Sequence, residues 1–136
     1  MSSFKIFDIA GSGMSAQSVR LNTVASNLAN ADSVSNSPQG VYRARHPVFK
    51  ANLPTPSDNS SGGVSVAGIV ESKAAPETRY DPGNPLADAQ GYVYAPSVNV
   101  VEEMTDMISA SRSYQNNVEV LSTTRDLMLA TLKLGQ

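Results

Sequence analysis

The chain has 136 residues, a formal net charge of −2 and a pI near 5.2, so it carries no electrostatic footprint for nucleic acid or acidic lipid. Charged residues make up 16% of it, against roughly 25% in an average soluble domain, and Cys is absent, which excludes disulfides and thiolate metal sites. A surface poor in charge suits lasting contact with other protein.

The start, "MSSFKIFDIAGSGM", has no basic segment followed by an apolar one, so it is not expected to be a cleaved secretory signal. No apolar run approaches membrane-spanning length, and direct membrane insertion is not expected. All eight prolines lie between Pro38 and Pro96. Proline is the strongest helix breaker, so the chain divides into an N-terminal helical part (1–37), a β-containing middle with loops (38–96) and a C-terminal helical part (97–136).

In the first part Phe7, Met14, Leu21 and Leu28 are seven apart, with Ala10, Val24 and Ala31 on the companion row and Gln17 interrupting it. Gly11 and Gly13 each cost about 1 kcal/mol against Ala inside a helix. Either the helix begins after them, near Ser12 or Ser15, or they let another backbone approach closely. Asn22, Asn27 and Asn30 then fall among the apolar residues of "LNTVASNLANAD", although asparagine is a poor helix-interior residue.

The middle offers three strand-like stretches rich in β-branched and aromatic residues: "GVYRARHPVFKANL", "GVSVAGIVES" and "GYVYAPSVNV". Between them "TPSDNSSGG" reads as a loop and "RYDPGNPLADAQG" as a turn-rich connector. Arg43 and Arg45 are expected on one face of a strand, turned to solvent or to another subunit. Asp81, Asn84 and Asp88 do not have calcium-loop spacing, and a rigid turn is the better reading. His46 is the single histidine, so a histidine metal cluster is impossible and a contact role is expected. "GSG" lacks the lysine and preceding strand of a phosphate loop.

The last part repeats the heptad with Met107, Tyr114, Leu121 and Met128, accompanied by Met104, Val118 and Leu132. A seven-residue apolar repeat is a coiled-coil seam. The expected fold is α+β and elongated: the two terminal helices pair antiparallel, like a coiled coil, around a small β-containing middle. One partner helix buries a single stripe, so both helices are expected to need further neighbours. Phe7, Met14, Leu21, Val24 and Leu28 of the first part and Met104, Met107, Tyr114, Val118, Leu121, Met128 and Leu132 of the last are therefore also the expected subunit contacts. Asn22, Ser26 and Asn30, four apart, share a helix face, Asn27 lies beside it, and Asn116 and Asn117 repeat the theme. Such amides are expected to fix subunit register, as a polar seam residue does in coiled coils, or to face water. The plainer alternative is a solvated face, with Asn30 capping the helix end.

"SAQSVRLNTVASNLANAD" and "NVVEEMTDMISASRSYQNNVEVLSTTRDLM" resemble the terminal helices of bacterial flagellar axial proteins, the rod and hook group. The connector "YDPGNPLADAQGYVYAPSVNVVEEM" and the short middle are similar to the proximal-rod branch, as is the longer loop at Ser33–Gly40. The resemblance implies a non-enzymatic subunit, without cofactor or metal, that assembles helically into the hollow drive shaft. It implies export through the flagellar type III apparatus without a cleaved signal. It also implies a place in the basal body beside other copies of itself, rod proteins of the FlgB, FlgF and FlgG types and the adaptor FliE. Nucleic acid is not an expected partner. Another axial component of the flagellum is the nearest rival, though the short middle speaks against the longer hook and distal-rod types. From a different class, a secreted regulatory or binding protein with a similar helix pair would be favoured by discrete binding to one partner at fixed stoichiometry.

Overall fold

The computed structural model describes residues 2–53 and 62–134. Helix α1 spans Ser2–Asn30 and helix α2 spans Val100–Leu134, and they pack antiparallel. Asn27 of α1 meets Glu103 of α2, Arg20 meets Asp106, and Gly13 faces Asn117. Between the helices lie two separate antiparallel hairpins. One is β1 (Arg45–Asn52) with β2 (Gly63–Glu71), and the other is β3 (Glu77–Tyr80) with β4 (Tyr92–Ala95). The α+β, elongated arrangement expected of the sequence is the one observed.

Both glycines lie inside α1. Gly11 has open space where a side chain would be, whereas a Cβ on Gly13 would come within 3.0–3.3 Å of the Asn117 amide. Gly13 is thus the close-approach residue and Gly11 is not. Helix α1 ends where Asn30 donates to the Ser26 carbonyl and Ser33 donates to the Asn30 carbonyl. The first turn of α2 is capped by Asn99, whose Oδ1 accepts from the backbone N–H groups of Val101 and Glu102.

The first hairpin runs in register from Arg45 opposite Glu71 to Asn52 opposite Gly63, broken by a bulge at Val48/Phe49. It leans on α1: the Val64 N–H donates to Ser12 Oγ, and Gly63 leaves room for that hydroxyl. Most of its residues remain exposed. Two expectations need correction here. Arg43 precedes β1 rather than sharing a strand face with Arg45, and its guanidinium donates to the Ser72 carbonyl. Strand β3 was not anticipated; Glu77 and Thr78 lack an apolar alternation, and pairing with β4 supplies the order that propensity does not. Residues 55–61 of the expected loop fall outside the described residues.

The connector between β3 and β4 is a sequence of turns. Asp88 accepts from the N–H groups of Gln90 and Tyr92 and from the Tyr94 hydroxyl. Asn84 Oδ1 accepts from Leu86, and Gly91 takes the left-handed φ of 85° that closes the turn. Ser35 and Tyr94 exchange backbone hydrogen bonds, tying the segment after α1 to β4 beside the fully buried Val93.

Candidate functional site

The interior of the helix pair is made of small and polar residues. On α2 the row Glu103, Ala110, Asn117, Thr124 is seven-spaced, and Glu103, Ala110 and Thr124 are buried. On α1 the buried residues are Ala10, Ala16, Thr23, Val24 and Asn27. The expectation that the large apolar rows form the seam is therefore off by one row within the chain. Phe7, Met14, Leu21 and Leu28 are all half-buried, as are Met107, Tyr114, Leu121 and Met128. Of the named apolar residues Ala10 and Val24 are in the core, and Met104, Val118 and Leu132 are exposed at 53%, 43% and 69%. Small side chains in the interior let the helices approach closely, and this displaces the large ones to the flanks.

Asn27 is the centre of the junction between the pair and the β middle. It is fully buried, and its amide is saturated. Nδ2 donates to the Arg45 carbonyl and to Glu103 Oε1, each at 2.9 Å. Oδ1 accepts from the Tyr42 hydroxyl and the Arg45 N–H, again at 2.9 Å each. One side chain thereby joins α1, α2 and the start of β1. The other asparagines behave differently. Asn22 and Asn116 are exposed, Asn30 bonds the Ser26 carbonyl at the helix end, and Asn117 bonds the Ser113 carbonyl beside Gly13.

The charged groups around Asn27 are unevenly satisfied. Burial pushes the Glu103 carboxyl above its usual range, against the opposing pull of the Asn27 hydrogen bond and of His46. Burial likewise pushes the Tyr42 hydroxyl up. Arg45 stacks over the Tyr42 ring at 5.8 Å and pairs with Glu71, while Arg20 pairs with Asp106 at 2.8 Å. Glu103 Oε2 is buried without a hydrogen-bond partner among the described residues, as is Gln17 Oε1. Sequence reading missed Glu103 altogether; its place in the 103/110/117/124 row was the available signal.

Among the described residues no group of three His, Cys, Asp or Glu side chains could hold a metal ion, and no helix is long and apolar enough to cross a membrane. Large apolar side chains are instead abundant on the surface. Phe4, Ile9, Val101, Ile108, Leu127 and Leu134 are exposed by 47–86%. The chain's accessible surface is 9219 Å², whereas a compact monomer of its mass would have roughly 6,800 Å².

Two family models match the chain: the flagella basal body rod protein model over residues 7–36, and the flagellar basal body rod FlgEFG protein C-terminal model over residues 89–134. Flagellar basal-body rod protein FlgC of Escherichia coli O6:H1 is 56% identical over the full length of both chains. The proteins of the same description from Salmonella typhimurium and Yersinia enterocolitica are 54% and 56% identical, again over the whole of each chain.

Proposed function

This chain belongs to the FlgC family of flagellar basal-body rod proteins, and on that premise we propose how it is built into the rod. It is a structural subunit of the flagellar basal body that associates with other rod components. The finer reading is that subunits stack helically into a hollow shaft. The terminal helical parts, 1–37 and 97–136, form its inner layer, and the β middle, 38–96, reaches neighbours further out. Other copies of the chain, rod proteins of the FlgB, FlgF and FlgG types and the adaptor FliE are the neighbours. The chain is exported without a cleaved signal, reaches a rod that spans the periplasm, and catalyses nothing.

One observation carries this reading most directly. The two heptad rows of large apolar residues lie half-open along the flanks of the helix pair, with Met104, Val118 and Leu132 more exposed still. Apolar surface in water is unfavourable by about 25 cal/mol per Å². The accessible surface, polar and apolar together, exceeds that of a compact monomer by about 2,400 Å², against about 1,600 Å² for a standard protein interface. Packing against further helices removes it from water. In this reading Asn22 and Asn116, exposed on the outside, contribute register between subunits, as does Asn30 at the end of α1, while Asn117 sets the approach of the two helices at Gly13. Asn27 acts by fixing the shape each subunit presents.

Deleting the gene and imaging basal bodies by electron cryotomography tests the role, with the intact gene restored as control. Basal bodies that stop without rod or hook, and recover on complementation, are expected. Complete rods and normal swimming in the deletion would remove the role.

A further inference from the structure

We propose that the cavity between the start of β1 and the first turn of α2 is a socket for a lysine or arginine side chain of a neighbouring rod subunit. The cavity holds about 250 Å³ and opens to the surface between His46, Ser72, Ser97, Asn99, Glu102 and Glu103. A water molecule occupies about 30 Å³ of liquid, so an ammonium or guanidinium head enters by displacing a few waters.

The chemistry of the lining selects a cation. Glu103 is 6% exposed, lines the cavity, and leaves Oε2 buried with no hydrogen-bond partner. Its other oxygen is already taken by Asn27. A buried carboxylate oxygen without a donor is costly, and Glu102 adds a second carboxyl at the rim. Of the chain's own nearby cations, Arg20 pairs with Asp106 and Arg45 with Glu71, while Arg43 is bonded to the Ser72 carbonyl; none of the three lines the cavity. Asn99 Oδ1 is occupied in capping α2. Among the described residues no lysine or arginine lines the cavity. Beside the hydroxyls of Ser72 and Ser97 and the Asn99 amide, the lining carries two carboxyls, and a lysine or arginine from outside supplies a charged donor for the unpartnered Glu103 Oε2.

The inference rests on the rod-subunit reading, and one experiment separates the two. Rods containing this chain are imaged by cryo-EM at a resolution that shows side chains. A lysine or arginine head from the adjacent subunit is expected within about 4 Å of Glu103 Oε2 or the Glu102 carboxyl. A cavity holding water alone, an apolar side chain or nothing, in rods that contain the chain, overturns the socket and leaves the rod reading standing. Rods lacking the chain overturn both. A second arm uses E102Q/E103Q, which keeps the side-chain shapes and removes the charges. Basal bodies bearing a rod should fall at least about tenfold while the isolated variant keeps its cooperative unfolding. Undiminished rods from that variant would refute the proposal.

Discussion

Asn27 shows how a residue that is unfavourable locally becomes necessary once the chain folds. Asn27→Ala would leave four groups without their partner: the Tyr42 hydroxyl, the Arg45 N–H, the Arg45 carbonyl and Glu103 Oε1. Orphaned buried groups cost about 1–3 kcal/mol each when water cannot replace the partner. The variant is expected to lose at least about 3 kcal/mol, read by circular dichroism as a fall in Tm of about 10 °C. Asn22→Ala, at an exposed position, should change stability by less than about 0.5 kcal/mol. Equal effects from the two would contradict the junction described here.

Glu103 gives the same junction a pH signature. Its folded-state pKa is raised by burial, so folding favours its protonated form. The stability it contributes is fully present below the ordinary carboxyl value and is lost as pH rises through the raised one. Asp88 has the opposite sign, because the Tyr92 N–H and its other hydrogen bonds hold its carboxyl below the usual range. Its contribution is present above the ordinary value and lost as pH falls. Subtracting Glu103→Gln isolates the first effect. The wild type should gain in Tm relative to the variant between pH 7 and pH 4, and a difference that is flat or falls toward acid would refute the assignment.

At the scale of elements, the two glycines of α1 separate helix propensity from packing. Gly11→Ala adds a methyl into open space and should stabilise the chain by about 1 kcal/mol. Gly13→Ala meets the Asn117 amide at 3.0 Å, so the same propensity gain is offset by displacing that side chain. Adding Asn117→Ala should restore the gain. Urea unfolding of the four variants checks it as a double-mutant cycle, and additive effects would mean that the contact is unimportant. The distinction was not legible in the sequence, where both glycines interrupt the same periodicity. Helix limits and the non-helical middle were legible because proline acts locally. The 7/14/21/28 and 107/114/121/128 rows gave the right helices and the wrong interior. Periodicity reports apolar residues wherever they are later buried, and it overlooks a seam of Ala, Asn, Thr and Glu. Strand β3 was hidden for the converse reason, since its order comes from β4 and not from its own residues.

At the scale of the whole molecule, folding and assembly draw on different residues. The interior of the pair is small and hydrogen-bonded, and a single chain completes it, while the large apolar side chains are left to the flanks. A charge placed on a flank should therefore spare the first process and block the second. Val118 is 43% exposed on α2, four residues after the half-buried Tyr114 and three before the half-buried Leu121. Val118→Glu should leave the isolated chain within about 0.5 kcal/mol of wild type, as surface substitutions usually do. In a closed rod the same glutamate would be buried without a partner, which costs several kcal/mol. Export into the medium should continue while basal bodies lose their rods, measured by immunoblot and cryotomography of the same cells. Ala110→Glu, at a fully buried position of the pair, should instead unfold the chain itself. Rods that tolerate Val118→Glu would place that flank against solvent and move the subunit contact to the opposite side of α2.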